Sequence, residues 1–179
     1  MDLWAVVPVK ERASAKERLA PMLRPETRQA LALAMLEDVL AALTATPGIA
    51  ELLVVTVDAE AGRLAASYGA RLIETGARDG HTGAVAAAAR LLAADECPGM
   101  LTLPGDIPLV TSSEIERLLA AHPPAPSFTI VPSHDERGSN AIACSPPNAV
   151  PLRFGENLLR AAYAPRRAPH GPGSAIRSA

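Results

Sequence analysis

Hydrophobic and polar positions alternate along this chain in two recurring patterns. Leu3 to Val9 is an apolar run closing on Pro8, as expected of a central strand buried on both faces. A polar stretch follows. Pro25 and Glu26 then open a helical segment in which Leu31, Met35, Leu36, Val39, Leu40 and Leu43 recur at helical spacing, until Pro47 and Gly48 stop it. Leu52 to Val57 predicts a second strand, and Ala59 to Tyr68 a helix closed by Gly69. Arg71 to Glu74 reads as a short third strand. Residues 75–81 form a polar loop, after which Thr82 is expected to cap a helix through Ala84 to Ala94. Met100 to Leu103 is a fourth strand. The segment Pro104, Gly105, Asp106, Ile107, Pro108 must turn, because its prolines and glycine deny it both helix and ladder. Thr111 or Ser112 caps a helix to Ala121, and Phe128 to Val131 and Asn140 to Cys144 are the last strands.

Strands and helices in this alternation predict an α/β domain of three layers around a mostly parallel, doubly wound sheet. Such sheets bind ligands at the carboxyl ends of their strands, so the loops after the first, third and fourth strands carry the interest. Length confines the picture to one domain, residues 1–163, followed by a Pro-, Arg-, Gly- and Ser-rich tail, 164–179, expected to be disordered. The apolar share is 49% and the aromatic share 3%, so the core must be built from Ala, Val, Leu and Ile, which suits parallel strands under Ala-rich helices.

A net charge of -2 without a long basic block argues against bulk nucleic-acid binding. Cys97 and Cys144, with no CxxC and no histidine at metal-ligand spacing, read as reduced core thiols. Residues 1–9 lack the basic start of a leader, and no run approaches the ~18 apolar residues of a membrane span, so a cytoplasmic location off the membrane is expected.

Three loops hold candidate chemistry. Val7, Pro8, Val9 and Lys10 lead into a stretch with Arg12, Lys16 and Arg18, placing four cations within nine residues directly after the first strand. Backbone N–H groups together with Lys and Arg neutralise a polyphosphate, although a solvated helix start with Glu11 and Glu17 pairing the cations would look similar. No Gly-rich phosphate cradle is present. Asp106 stands in the rigid turn after the fourth strand, where one carboxylate serves Mg²⁺ together with substrate phosphate oxygens; the alternative is a local turn cap. In the third loop, Arg137, Gly138, Ser139 and Asn140 present donors and a close backbone approach to an acidic small molecule, as an ordinary β-connection also would. Gly80, His81 and Thr82 stand at a helix start, where N–H groups favour anions or base edges. His134 reads as a surface loop residue.

At these loops the chain resembles the 2-phospho-L-lactate guanylyltransferase family of CofC type, a branch of the nucleotide-diphospho-sugar transferase (GT-A-like) fold. The likeness runs from about Leu3 to Phe154 and rests on VPVK with AKERLAP, LALAMLEDVLAAL, LPGDIPL and SNAIACSPPNAVPLRFG. It implies transfer of GMP from GTP to a three-carbon phospho acid (2-phospho-L-lactate, phosphoenolpyruvate or 3-phosphoglycerate) with release of pyrophosphate, on the path to coenzyme F420. The implied roles are Val7, Pro8, Lys10, Lys16, Arg18, Gly80 and Thr82 for the nucleotide, and Lys16 and Asp106 for catalysis. Asp106 would hold Mg²⁺ or Mn²⁺, and Arg137, Gly138, Ser139 and Asn140 the acceptor. The expected partners are GTP and the acid, with no nucleic acid and no membrane; a homodimer is admitted.

The chain departs from the family pattern in three places. Gly80-His81-Thr82-Gly83 replaces a Gly-Leu-Asn-Ala loop, Leu158 stands where Ser is common, and a DxDTPxDL-like motif that adds metal carboxylates has no counterpart. Two further expectations follow: a nucleotide-binding relative with little or no activity, or an enzyme of this fold using another nucleotide.

Overall fold

The first apolar run folds as strand β1 (Leu3–Pro8), and the other elements are arranged around it. The computed structural model describes residues 2–11, 16–134 and 138–152. After β1 come a short 3₁₀ turn (Glu17–Leu19), α1 (Pro25–Thr44), β2 (Ile49–Val55), α2 (Ala59–Ser67), β3 (Arg71–Ile73) and α3 (Gly80–Ala94). The chain continues through β4 (Met100–Thr102), α4 (Ser112–Ala121), β5 (Ser127–Pro132) and β6 (Ser139–Ser145). Residues 153–163 of the expected domain, the tail, Arg12 and Arg137 lie outside the described residues.

Among the described residues six strands form one sheet in the order β3-β2-β1-β4-β6-β5. β1 pairs in parallel with β2 on one side and β4 on the other, while β6 runs antiparallel to both β4 and β5. Strand order therefore reverses between β1 and β4. In an open α/β sheet such a switch point leaves a crevice outside the carboxyl ends of the two strands, because the chain leaving β1 turns toward β2 while the chain leaving β4 turns toward the other half of the sheet.

Period-two alternation explains the layers. Leu3, Ala5 and Val7 of β1 join Leu36, Val39, Leu40 and Leu43 of α1, Ala61 and Ala65 of α2 and Ile115 of α4 in one cluster. Val6 turns the other way, into a second cluster with Ala84, Val85, Ala88 and Leu92 of α3 and with Leu152. This is the expected three-layer α/β architecture. The four buried α1 side chains remove apolar surface worth about 1.5–3 kcal/mol each.

Two helix starts differ in how they are secured. At α4, the Glu114 N–H donates to the Thr111 hydroxyl while the Thr111 N–H donates to Glu114 Oε2 at 2.9 Å, a reciprocal cap as expected from Thr111. α3 departs from expectation: it begins at Gly80, so Thr82 lies inside the first turn and does not cap. The reason is backbone freedom, since Gly80 takes φ +72 and turns the loop into the helix early. Gly76, at φ +80, packs so tightly that a Cβ would meet the Gly83 carbonyl at 2.6 Å, which pins this loop against α3.

Both cysteines are free. Cys144 is buried in the second cluster, and burial pushes its thiol up to about 12, which makes it an inert packing group.

Candidate active site

The switch-point crevice is where the first and second candidate loops meet. Lys16, held at φ +51 just after β1, donates from Nζ to Asp106 Oδ2 at 2.8 Å across 90 residues of sequence. The pair lines a cavity of about 330 Å³ whose other polar liners among the described residues are Lys10 and His81. Pro8, Val9 and Gly105 form its rim with the two loops, and Ala32, Leu33 and Leu36 of α1 supply an apolar wall. Asp106 is 57% exposed against 24% for Lys16, so the carboxylate stays open to solvent while the ammonium reaches it from a more covered position.

Electrostatics in the cavity favour anions. Burial, and then the Lys10 ammonium, hold the His81 imidazole below its usual range, opposed by the pull of Asp106. His81 is thus neutral at physiological pH and able to donate from one ring nitrogen and accept at the other. It also borders a second, small hollow lined by Gly80, Ala77, Val55 and Ala84.

Not every candidate reaches this cavity. Val7 points into the core beside α1 and contributes only through its strand. Arg18 is exposed on the 3₁₀ turn and does not line the cavity, and neither does Thr82, whose neighbour His81 does. Gly138 closes its own loop: its N–H donates to the Ser133 hydroxyl, and the Ser133 N–H donates to the Gly138 carbonyl, both at 2.9 Å. Ser139 begins β6, and Asn140 follows it, exposed. Asn140 lines a separate hollow of about 470 Å³ between α4 and the ends of β5 and β6. Apart from Asn140 and Glu114, the described residues that line that groove are apolar, Leu109 and Leu118 among them. His134 is exposed, as expected.

Two features escape sequence reasoning. The α1 wall is one; its only signal is that helix positions 32, 33 and 36 share a face. The other lies at the opposite edge of the sheet, where His122 meets three hydroxyls: Thr129 at 2.8 Å through Nδ1, and Ser127 and Ser145 at 3.0 Å through Nε2. Because Ser127 donates to the Pro123 carbonyl, its oxygen accepts from His122 Nε2–H. This binds the end of α4 to β5 and β6 and offers no free nucleophile.

A divalent ion fits the cavity in one manner. Among the described residues no group of three or more His, Cys, Asp or Glu converges. A single open carboxylate beside two lysines suits a Mg²⁺ or Mn²⁺ carried in on polyphosphate, with Asp106 as its protein ligand, and does not suit an all-protein cage.

The fold and this cleft define the class, a nucleotidyltransferase-type α/β domain. A solved chain from Desulfovibrio desulfuricans G20, described as a nucleotide-diphospho-sugar transferase, superposes with TM-score 0.61 at 17% identity, covering 84% of this chain and 67% of its own. A cytidylyltransferase from Leptospira borgpetersenii serovar Hardjo-bovis gives 0.53 at 9% identity over 83% and 62%; both likenesses are of fold. The chain belongs to the CofC-like guanylyl transferase family, whose sequence model matches residues 3–159. It is 38% identical to the 3-phospho-D-glycerate guanylyltransferase of Colwellia psychrerythraea over 84% of this chain and 70% of that protein. It is 34% identical to the phosphoenolpyruvate guanylyltransferase of a Roseiflexus species over 96% and 75%. Guanylyl transfer is the chemistry of this family. No described helix is long and apolar enough to cross a membrane.

Proposed function

We propose that this chain transfers GMP from GTP to a three-carbon phospho acid, of the kind 2-phospho-L-lactate, phosphoenolpyruvate or 3-phosphoglycerate, releasing pyrophosphate. The observation that carries the reading is the convergence of Lys16, Asp106 and Lys10 on one cavity at the switch point. An oxygen of the acceptor phosphate attacks the α-phosphorus, the bond to the bridging β-oxygen breaks, and pyrophosphate leaves with the bonding pair. The acceptor phosphate has a second pKa of ~6 and is already an anionic nucleophile at neutral pH, so no general base is required.

Lys10 and Lys16 neutralise the triphosphate and hold it in line, and alignment together with charge neutralisation supplies the rate. Arg18 serves from the rim, where the exposed 3₁₀ turn leaves it free to approach outer phosphate oxygens. Gly80, His81 and Thr82 offer the α3 start to the nucleoside. Asp106 would hold Mg²⁺ or Mn²⁺, which when bound spreads the charge developing on the phosphates. Ser139 and Asn140, with the Gly138 backbone and Arg137, would take the acceptor. Membership of this family supports a place for the reaction on the route to coenzyme F420.

The test mixes the purified chain with GTP, Mg²⁺ and each acid in turn and follows pyrophosphate. Release that depends on one acid supports the proposal; silence with all of them refutes it. A thermal-shift panel of GTP, CTP, ATP and UTP checks the nucleotide, with the largest shift expected for GTP.

A further inference from the structure

We infer that the Lys16–Asp106 ion pair is an internal counter-ion that makes divalent-cation binding at Asp106 conditional on a polyphosphate. The inference rests on the reading that the cavity takes a nucleoside triphosphate. The ammonium lies 2.8 Å from Oδ2 and thereby occupies one of the two oxygens that the carboxylate can offer a hard cation. A positive charge at that distance also repels a second cation approaching the same carboxylate.

Two features favour an exchangeable pairing. Lys16 sits at φ +51, in the left-handed region that side chains disfavour, at the start of the 3₁₀ turn, from which its ammonium reaches Asp106. Asp106 is 57% exposed, in a cavity it shares with Lys10, so the pair is not sealed in the core where separation would be prohibitive. A triphosphate offers Lys16 several negative oxygens in place of one carboxylate. As the ammonium turns to it, Asp106 is left free for the cation that the phosphates bring. By linkage the coupling is reciprocal, and the bound cation strengthens nucleotide binding by the same factor. A pair that stayed closed when a triphosphate bound would leave the cation affinity of Asp106 unchanged by the nucleotide.

The test titrates the nucleotide-free chain with Mn²⁺, reading free ion by electron paramagnetic resonance. Lys16→Met, with Lys16→Gln as a second variant, is expected to bind Mn²⁺ about 5- to 10-fold more tightly than the wild type. Lys16→Arg keeps the pair and stays at the wild-type level. Adding Asp106→Asn to Lys16→Met cancels the gain. Lys10→Met removes a charge from the same cavity without touching the pair, and should move affinity by about 2-fold at most. No gain in either Lys16 variant overturns the inference, and so does an equal gain in Lys10→Met. Wild-type chain that binds GTP while the Lys16 variants show no gain sinks this inference alone. A gain without GTP binding by the wild type sinks the nucleotide reading and leaves the counter-ion competition standing.

Discussion

The turn from Leu103 to Val110 divides the carboxyl edge of the sheet into two hollows that offer a charged ligand very different surroundings. On the β1 side, Asp106 faces Lys16, Lys10 and His81 in the smaller cavity. On the β6 side, Ile107, Leu109 and Val110 face α4, and the polar side chains lining the groove are Glu114 and Asn140. The difference follows from topology. The parallel half brings together loops that leave buried strand ends, and such loops are free to carry cations. The antiparallel half places α4, whose capping box consumes Glu114 and Thr111, directly over the strand ends. The proposed nucleotide half is therefore preassembled among the described residues, whereas the proposed acceptor half presents a hydrogen-bonding edge at Asn140 beside an apolar floor.

The sharpest break in this comparison is Asp106→Asn. If the β1-side cavity is the reaction centre, pyrophosphate release falls by about 10²-fold or more while GTP binding changes by only a few fold, measured by steady-state kinetics and calorimetry. A loss confined to GTP affinity would move Asp106 out of the chemistry.

His122→Ala probes the edge away from both hollows. Removing a ring bonded to three hydroxyls should cost about 2 kcal/mol in urea unfolding and leave activity per folded molecule unchanged. Burial holds His122 and His81 below the ordinary value of 6.5. The unfolded chain takes up these protons first, so stability present above about 6.5 declines as pH drops below it and levels off beneath the folded-state values. The His122 variant should flatten that decline.

The smallest effect sharpens the other side. Asn140→Ala should raise KM for the acceptor about 10-fold and leave KM for GTP unchanged, because its side chain lines the β6-side groove and not the β1-side cavity. A change in both would mean that the two hollows act as one.

How much of this was legible beforehand divides along the same line. The unbroken run at Leu3–Pro8 and the helical spacing from Leu36 to Leu43 announce a buried central strand and its covering helix, since periodicity alone encodes burial. Lys16 and Asp106 could be nominated from loop position and residue type, because strand-end loops are the binding edge of this fold. Their 2.8 Å contact could not, for it depends on strand order across 90 residues. Thr82 was expected to cap, but a glycine at positive φ overrode local preference. The His122 cluster was invisible, because it joins α4, β5 and β6 through single hydroxyls that carry no pattern of their own.

The central claim is that a nucleoside triphosphate seats between Lys10 and Lys16 with its cation on Asp106. Crystals of the chain grown with a non-hydrolysable GTP analogue and Mn²⁺ test it most directly. The account predicts an anomalous Mn²⁺ peak against the Asp106 carboxylate, phosphates against both lysines and a parted Lys16–Asp106 pair. A nucleotide bound elsewhere with that pair intact would contradict it.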